Sequence, residues 1–372
     1  MNDNTFFRCI SCLTPSTRPR ITFDENQICS ACNFANKKKS VIDWESRKLE
    51  LHKICDKYRK NNGDFDVLVP GGGGKDSSYV AWMLKNEFKM NPLCVCAVPP
   101  LPTEIGSKNL SNFSASGFNI LQITPNLLIS KQIAKNAFIK YGQPQLDWLY
   151  SIFSVPLKIS TKMNIPFIMY GEEAESEYGG ATELEKKPNF NLDHIFKFYY
   201  SGIDLHELID GKHSKSDLEF LTLPSKDELE RINIFPAHWS YFEKWDEDMH
   251  LKLAEEKCGL LRSNENTSGP NSSFSHLDHI MYFLHMYLAY LKFGFGRATA
   301  DASIDIKMGK ISTEEAKKII KEYDHIFPNQ YLQSYLTYFD MTEQEFWSVC
   351  ESHRNKNIFE IRNEQYVLKD TI

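Results

Sequence analysis

Four consecutive glycines, followed by a lysine, an aspartate and a serine, give the strongest chemical signal in this sequence. They stand between an apolar stretch at 67–69 and a helical pattern at 79–84, the order expected for a strand, a loop and a helix. Glycine lets backbone amides approach an anion closely, and a helix adds partial positive charge at its amino end. Four glycines in a row also cost folding entropy that an ordinary tight turn does not require. We therefore predict a phosphate-binding loop formed by Gly71, Gly72, Gly73, Gly74, Lys75, Asp76 and Ser77.

Two familiar glycine motifs fit this loop poorly. A Walker loop places serine or threonine directly after its Gly-Lys pair, whereas Asp76 follows Lys75 here. A dinucleotide fingerprint needs a third small residue at the position of Asp76, because an acidic side chain is poorly suited to face a pyrophosphate. The remaining pattern, Gly-Gly-x-Asp-Ser at 73–77, resembles the PP-loop of ATP pyrophosphatases, with Gly72 in place of the usual first serine. That resemblance implies that the loop binds the phosphates that ATP loses as pyrophosphate, with Asp76 near magnesium and Ser77 on phosphate.

Two CxxC pairs near the beginning of the sequence form the pattern C-x2-C-x16-C-x2-C. Each pair can contact one edge of a tetrahedral metal site, and the spacing falls within the range of zinc ribbons. Four thiolates complete the coordination of zinc, so the predicted zinc is structural and not catalytic. An iron–sulfur cluster is the alternative, because it uses the same ligands. The predicted metal ligands are Cys9, Cys12, Cys29 and Cys32.

An acidic segment begins at the carboxyl end of a predicted strand at 165–171, the edge at which open α/β sheets bind their ligands. Gly171 and Glu172 stand nearest to this strand, and Glu172 is the better functional candidate. Its carboxylate can ligate magnesium or accept a proton. Further along the segment we expect a solvated acidic loop that contains Glu173, Glu175 and Glu177.

Two cations, Lys292 and Arg297, flank a glycine–aromatic segment at the end of an apolar helical stretch at 277–293. They can neutralise phosphates, and arginine offers a planar fork for this purpose. Lysine and arginine are also common in ordinary C-terminal turns of helices, with glycine just beyond.

Two further segments have open interpretations. Residues 103–110 suit a nucleotide or substrate contact or a plain surface loop, and the aromatic residues at 238–246 suit helix packing or a sugar-stacking wall.

A parallel sheet is needed to position these residues. Short apolar runs alternate with helical patterns between residues 41 and 240, which predicts βαβ units in an α/β domain with a doubly wound parallel sheet. Cys94 and Cys96 alternate along the second strand and are expected to pack in the core. We expect strands at 66–70, 93–98, 119–124, 165–171 and 232–236, and helices at 44–61, 76–86, 106–115, 127–141 and 148–163.

Three regions follow from this pattern. A zinc ribbon at 1–40 precedes the α/β domain, in which a polar insertion at 174–230 is expected to lie over the carboxyl edge of the sheet. A helical region at 241–372 is expected to complete the site. Capping boxes, in which a hydroxyl and a carboxylate satisfy free amides, begin helices near 312 and 342.

The bulk properties exclude several classes of protein. The net charge of −6 argues against a general nucleic-acid binder, which usually carries a basic face. The stretch at 277–293 contains charged residues and histidines and is too short to span a bilayer, so we expect no membrane span. Residues 1–4 show no leader pattern, and nine cysteines without one fit a reducing compartment. We therefore expect a cytoplasmic protein.

Taken together, these segments resemble the N-acetyl sugar amidotransferase family of bacterial surface-polysaccharide (lipopolysaccharide) and flagellin-glycan biosynthesis. The resemblance rests on the cysteine ribbon, the Gly-Gly-Lys-Asp-Ser loop at 73–77, and the segments at 171–180 and 292–299. It implies a sheet of the PP-loop type and an ATP-dependent carbon–nitrogen ligase. Such an enzyme transfers AMP to the oxygen of an acetamido group, and ammonia then expels AMP to leave an acetamidino group. The implied cofactors are ATP, Mg²⁺ and structural Zn²⁺.

The resemblance also implies roles and partners. The catalytic residues would be Asp76, Glu172, Lys292 and Arg297. ATP and its pyrophosphate would be bound by Gly72, Gly73, Gly74, Lys75, Asp76, Ser77 and Gly171. The implied partners are a separate glutaminase that supplies ammonia and a small-molecule sugar. That sugar would be a nonulosonic acid of the legionaminic or pseudaminic type, free or CMP-linked, or a UDP-linked diacetamido uronic acid. The alternative is a PP-loop enzyme that modifies tRNA by thiolation or lysidine-type ligation. The sequence contains no further CxxC pair, and this absence argues against thiolation.

Overall fold

A five-stranded parallel sheet forms the centre of the molecule. The computed structural model describes residues 6–264, 269, 273–362, 365–370 and 372, so residues 1–4, where no leader pattern is seen, lie outside the described part. In spatial order the strands are β3 (Asn119–Ile123), β2 (Pro92–Ala97), β1 (Val67–Pro70), β4 (Phe167–Tyr170) and β5 (Phe235–His238). Each neighbouring pair is parallel. The predicted parallel sheet is therefore confirmed, and each strand overlaps the segment expected from the sequence.

The strand order places a change of direction between β1 and β4. From β1 the chain adds β2 and then β3 on one side, and it returns to add β4 and β5 on the other. In sheets of this kind, the loops that follow the two central strands diverge and leave a crevice at the carboxyl edge. The glycine loop follows β1 and the acidic segment follows β4, so both border this crevice.

Helices surround the sheet on both faces. Those that precede the acidic segment are α1 (Ser30–Ser40), α2 (Trp44–Tyr58), α3 (Lys75–Asn86), α4 (Glu104–Ala115), α5 (Leu127–Tyr141) and α6 (Leu146–Met163). The next helices are α7 (Ala174–Tyr178), α8 (Leu192–His194), α9 (Lys226–Arg231), α10 (Trp239–Phe242) and α11 (Glu247–Cys258). The last are α12 (Met281–Phe293), α13 (Arg297–Met308), α14 (Thr313–Tyr323), α15 (Leu332–Phe339) and α16 (Glu343–Ser352). They are followed by β6 (Phe359–Arg362) and β7 (Gln365–Leu368), which form an antiparallel hairpin.

Alternate residues of the strands enter two separate cores. Leu68 of β1 and Ile168 of β4 pack with α5 and α6, whereas their neighbours Val67 and Phe167 pack with α2, α3 and α11 on the opposite face. Side chains of a strand alternate between its faces, and both faces are covered in a doubly wound fold. Cys94 is in the second of these cores, as its predicted packing role requires.

Most of the insertion at 174–230 does not lie over the carboxyl edge of the sheet, where the sequence placed it. Only its first turn, α7, borders the crevice, and the rest packs against α6 and adds buried residues such as Ile195, Leu208 and Leu221 to the core. Tyr150 of α6 donates a hydrogen bond to the carbonyl of Ile203, 2.9 Å away. The prediction of a polar cover over the carboxyl edge is wrong for most of this segment, because its apolar residues are spaced without the period of a helix or a strand.

The C-terminal region is joined to the sheet domain in two places. Helix α11 packs on α3, and Trp245 and Cys258 enter the core that α3 forms on the sheet. Helices α12, α15 and α16 form a further core against the outer side of α5. The capping boxes predicted at Ser312 and Thr342 are confirmed at the starts of α14 and α16, whereas the β6–β7 hairpin was not predicted.

The apolar stretch at 277–293 is confirmed as a buried helix, because α12 turns seven side chains into the interior. In the described part of the chain, no helix has both the length and the apolar character that a bilayer crossing requires.

We predict that Phe138→Ala destabilises the junction between α5 and the C-terminal helices. Phe138 is fully buried, and its ring lies 4.9 Å from that of Phe339 and 5.3 Å from that of Phe346. Removal of such a ring costs about 3–5 kcal/mol of unfolding free energy. The matched control is Phe196→Ala, whose side chain is 42% exposed and should cost about 0.5 kcal/mol or less. Equal shifts in urea denaturation for the two variants would contradict this packing.

Candidate functional site

A cavity of about 630 Å³ opens at the carboxyl ends of β1, β2 and β4. The whole predicted loop, from Gly71 to Ser77, lines it, and Glu172 stands in the same wall. Other walls come from β2 and α4, from an aromatic group that contains Trp148 and Tyr170, and from the segment that carries His276. The structure therefore brings together the glycine loop and the acidic residue that the sequence selected separately.

Close contacts leave little room for a side chain at Gly71, Gly72 and Gly73 of the loop. Gly73 has φ +87°, and a Cβ atom there would lie 2.5 Å from the carbonyl oxygen of Asn109. A Cβ atom at Gly72 would lie 2.9 Å from the Sγ atom of Cys96. Gly74 is the N-cap residue of α3, and it offers no side chain to cap the first turn of this helix. The amides of that turn, which have no partners inside a helix, are available to an anion.

Lys75 and Asp76 form an ion pair at the end of the loop, in which Lys75 is buried and Asp76 is half-buried. The Nζ atom of Lys75 lies 2.5 Å from Oδ2 of Asp76 and 3.2 Å from Oε1 of Glu247. His250 contacts the other oxygen, with Nδ1 2.9 Å from Oδ1 of Asp76. Burial works to raise the pKa of Asp76, but Lys75 and His250 outweigh it and lower this pKa to about 2. Asp76 is therefore a fixed anion in the cavity.

The pKa of Glu172 is shifted in the opposite direction from that of Asp76. Burial, followed by the negative charge of Asp76, raises the pKa of Glu172 to about 8, and Lys75 offsets this only in part. A carboxyl group with such a pKa exchanges protons near neutral pH, as a general acid or base must. Gly171 does not line the cavity but supports it from behind, where a Cβ atom would lie 3.5 Å from Cβ of Asp76 and 3.3 Å from Trp245.

Several residues of the site were not predicted. Glu247 and His250 lie in the first turns of α11, far along the chain from the loop that they contact. The sequence marks only the start of their helix, at Asp246. Glutamate and histidine are common on helices, so nothing in the sequence distinguishes these two as site residues. His276 and Asp278 line the cavity from the segment before α12. Of the two interpretations of 103–110, the ligand-facing one gains support, because Gly106, Ser107, Asn109 and Leu110 all line the cavity.

The acidic residues after Glu172 are not a solvated loop, and that prediction is wrong. Glu173 is buried and accepts hydrogen bonds from the amides of Glu175 and Ser176 at the start of α7. The carboxylate of Glu175 receives two hydrogen bonds from Arg20, of 2.7 and 2.5 Å. Glu177 is paired with Lys38. The segment is instead tied to the cysteine-rich region by these ion pairs.

The two C-terminal cations are not in contact with the cavity. The Nζ atom of Lys292 donates hydrogen bonds of 3.2 and 2.8 Å to the carbonyls of Tyr141 and Gly142, at the end of α5. Arg297 is buried and donates from Nε to Asp301 over 2.6 Å. Its guanidinium group also lies over the ring of Tyr282, 5.2 Å from the centroid. Tyr282 in turn stacks on His276 of the cavity wall, so Arg297 stands one layer behind the site.

The four predicted cysteine ligands form a closed cluster. Their sulfur atoms all lie within 4.8 Å of one another, and all four residues are buried. Four converging thiols in this arrangement fit a metal with tetrahedral sulfur coordination, which zinc prefers. The predicted metal-binding quartet is thus supported, and both zinc and an iron–sulfur cluster are compatible with its donor set.

The cysteine cluster is coupled to the wall of the cavity. Ile306 of α13 packs against the cluster, and Lys307 of the same helix donates a hydrogen bond of 2.8 Å to the carbonyl of Glu177. Gly179, at the end of α7, approaches α1 so closely that a Cβ atom there would lie 3.1 Å from Cβ of Ala31. Helix α13 and helix α1 of the cysteine-rich region therefore both contact the segment of α7, whose last residue, Tyr178, lines the cavity.

The aromatic residues at 238–246 serve packing and not a sugar-stacking wall. Trp239, Phe242 and Trp245 are buried in the core that α3 shares with the sheet. Cys96 has a different environment from the one predicted, because its thiol faces the cavity beside Gly72. Burial raises the pKa of Cys96 to about 12, which keeps the sulfur protonated at neutral pH.

Two comparisons with known proteins give a match. Residues 276–371 match the family model described as "LPS biosynthesis protein WbpG-like, C-terminal domain". This match supports a relationship to a lipopolysaccharide-biosynthesis family in the C-terminal region. An uncharacterized protein of Methanocaldococcus jannaschii, MJ1599, is 33% identical over 89 residues, which cover 24% of this chain and 31% of that protein. The chain thus matches about a third of the length of this relative.

We predict that Gly73→Ala is more destabilising than Gly211→Ala. The two glycines have nearly the same positive φ, +87° and +83°, so alanine adds similar strain of about 1–2 kcal/mol at each. Only Gly73 has a neighbour within reach of the added methyl group, the carbonyl of Asn109. That contact should add about 1–3 kcal/mol, measured as the difference in unfolding free energy between the variants. Equal stabilities would show that the loop has room for side chains.

We also predict that Cys12→Ser removes the metal from the cysteine cluster. The wild type should retain one zinc ion per chain after dialysis, as measured by plasma mass spectrometry, because four thiolates complete its coordination. The matched control is Cys350→Ser, at another buried cysteine that lies outside the cluster. Unchanged zinc in Cys12→Ser would contradict the assignment, and bound iron in the wild type would favour the cluster alternative.

Proposed function

We propose that this chain is an ATP-dependent amidotransferase that converts an acetamido group of a bacterial surface sugar into an acetamidino group, with release of AMP and pyrophosphate. The observation that carries this proposal is the shared cavity of the glycine loop and Glu172 at the change of direction in the sheet. The glycine loop suits the phosphates of a nucleoside triphosphate, and Glu172 offers a carboxyl group that exchanges protons. The match of residues 276–371 to a lipopolysaccharide-biosynthesis domain supports a sugar as substrate.

ATP would lie with its β- and γ-phosphates on the loop. The glycines permit close approach of the backbone, and the uncapped first turn of α3 adds amide donors and partial positive charge. Lys75 provides a full positive charge next to these amides. Burial alone would lower the pKa of Lys75, but the surrounding carboxylates raise it above its usual range, so the ammonium group stays charged. The walls from β2 and α4 would then hold the nucleoside.

The cavity also fits a magnesium ion that arrives with ATP. Asp76 supplies a permanently ionised carboxylate, the type of ligand that magnesium prefers. Within the described residues, the cysteine quartet is the one group in which three or more possible ligands lie within 4.8 Å, so phosphate oxygens and water would complete the magnesium coordination. When bound, magnesium neutralises charge on the phosphates.

The reaction that we propose has two steps. The acetamido oxygen attacks the α-phosphorus of ATP, and the bond to the β-phosphate oxygen breaks, so that pyrophosphate leaves to the loop. Ammonia then attacks the carbon of the resulting imidate, the bond from carbon to the AMP oxygen breaks, and AMP leaves. Glu172 would accept the proton that an ammonium ion loses to become the ammonia nucleophile, for which its raised pKa is suited. Adenylation is needed because an amide oxygen by itself is a very poor leaving group.

The remaining expectations follow from this reaction. Arg297 would act as a positioning residue, because it supports Tyr282 and is paired with Asp301. Lys292 would support the end of α5. We propose a separate glutaminase as the source of ammonia, a cytoplasmic location, and a sugar of the nonulosonic or UDP-linked uronic type destined for lipopolysaccharide or a flagellin glycan.

The tRNA-modifying alternative is less well supported by the site. A thiolase requires a nucleophilic sulfur near the nucleotide, and Cys96 is the thiol that lines the cavity. Its raised pKa keeps it in the unreactive thiol form. The net charge of −6 also opposes binding to a polyanion. Saturable binding to total tRNA in a mobility-shift assay at physiological salt would favour this alternative.

We predict that Asp76→Asn lowers AMP formation at least about 100-fold, because the magnesium ligand and the partner of Lys75 are both lost. Wild-type protein should form AMP and pyrophosphate, and not ADP, with at least one sugar from a panel of CMP-linked and free nonulosonic acids and UDP-diacetamido uronic acids. Labelled pyrophosphate should exchange into ATP in the same mixtures.

The matched control is Asp227→Asn, an exposed aspartate in the first turn of α9 that is outside the cavity. It should retain wild-type activity. Thermal unfolding of both variants tests whether they are folded. Formation of ADP by the wild type, or full activity of folded Asp76→Asn, would rule out the proposed chemistry.

A further inference from the structure

A second cavity of about 210 Å³ lies on the far side of Glu172. Glu172 and Tyr178 line both this cavity and the larger one that contains the glycine loop. The two side chains therefore form a partition between the cavities. The second cavity lies between the cysteine-rich region and the sheet domain.

Three helices build the walls of the second cavity. Ala31 and Ala35 come from α1, Glu247 from the start of α11, and Ile304 and Met308 from the last turns of α13. Two exposed lysines, at positions 39 and 244, form its outer rim. The cavity therefore extends from the surface to the carboxyl group of Glu172.

The size of this cavity limits what it can admit. The second cavity has room for several molecules of the size of water, and it has a third of the volume of the larger cavity. The larger cavity has the volume for a nucleotide or a sugar acid. Small alanine side chains on α1 keep the passage open.

The charges along the cavity favour a small cation at its inner end. The lysines of the wall are engaged, because Lys38 is paired with the carboxylate of Glu177, and Lys307 donates to the carbonyl of the same residue. At the partition stand the carboxyl groups of Glu172 and Glu247, which are close enough for Glu247 to raise the pKa of Glu172. Glu247 is paired with Lys75, whose Nζ atom lies 3.2 Å from its Oε1 atom, so Glu172 is the acceptor at this point that can bind an ammonium ion and take its proton.

We propose that the second cavity is the route by which ammonia reaches the reaction centre, with Glu172 and Tyr178 as its inner gate. This inference rests on the proposed function. It adds to that function a separate path for the nitrogen nucleophile, which leaves the larger cavity to ATP and the sugar. It also assigns the cysteine-rich region a role, because α1 forms one side of the path.

The proton balance of the step is complete. Ammonium transfers one proton to the Glu172 carboxylate and becomes ammonia, whose lone pair attacks the imidate carbon. The carbon–oxygen bond to AMP breaks, and the departing phosphate oxygen keeps the electron pair. The new nitrogen then loses one proton to solvent to give the amidine. No oxidant or reductant is needed.

The test fills the passage and measures the two half-reactions separately. Ala35→Trp places a large ring in the second cavity, and Asn36→Trp adds the same ring to the next residue of α1, which is exposed and outside the cavity. Met308→Trp fills the passage from the opposite wall in case Ala35→Trp does not fold. Pyrophosphate exchange reports adenylation, in which ammonia takes no part, and AMP release is measured over a series of ammonium chloride concentrations.

We expect Ala35→Trp and Met308→Trp to raise the KM for ammonium chloride at least about tenfold, with pyrophosphate exchange within about twofold of the wild type. Asn36→Trp should match the wild type in both assays. An unchanged KM for ammonium in the filled variants, with exchange intact, would overturn the proposed route while leaving the amidotransferase function in place. Absence of exchange in the wild type would instead overturn that function.

Discussion

The pairing of β1 with β4 is the constraint on which the candidate site depends. The register places Val67 opposite Phe167 and Leu68 opposite Ile168, so the two strands end side by side. Nearly one hundred residues separate them in the sequence, yet the loop after β1 and the acidic segment after β4 become two walls of one cavity. Because both strands are buried on both faces, a slip of one residue would exchange their two cores, and the hydrophobic packing therefore fixes this register.

A second layer of contacts holds the acidic wall in place. Helix α7 is a single short turn with little stability of its own, and three outside groups fix it: Arg20 on Glu175, Lys38 on Glu177, and Lys307 on the carbonyl of Glu177. The first two come from the cysteine-rich region and the third from α13. The cysteine-rich region thereby helps to position Tyr178 in the cavity wall, although its four clustered cysteines lie outside the cavity.

The elements and the loop could be predicted from the sequence because their signals are local. Apolar runs of four to six residues marked the strands, and the run of glycines marked the anion site between β1 and α3. The partners of Asp76 could not be predicted, because Glu247 and His250 gain their roles only when α11 packs on α3. Lys292 and Arg297 stand in a distinctive segment, but tertiary packing places Lys292 on the carbonyls of α5 and Arg297 on Asp301. Ion pairs between distant segments, such as Arg20 with Glu175, leave no periodic pattern in a sequence.

The proposed adenylation of an acetamido oxygen is tested most directly by the fate of that oxygen. A sugar substrate labelled with ¹⁸O in its acetamido carbonyl would be converted with ATP and ammonium chloride, and the nucleotide and phosphate products would be analysed by mass spectrometry. Transfer of AMP to the acetamido oxygen predicts that the label appears in AMP, one atom for each amidine formed, and not in pyrophosphate. Unlabelled AMP, or label found in inorganic phosphate together with ADP, would contradict the account.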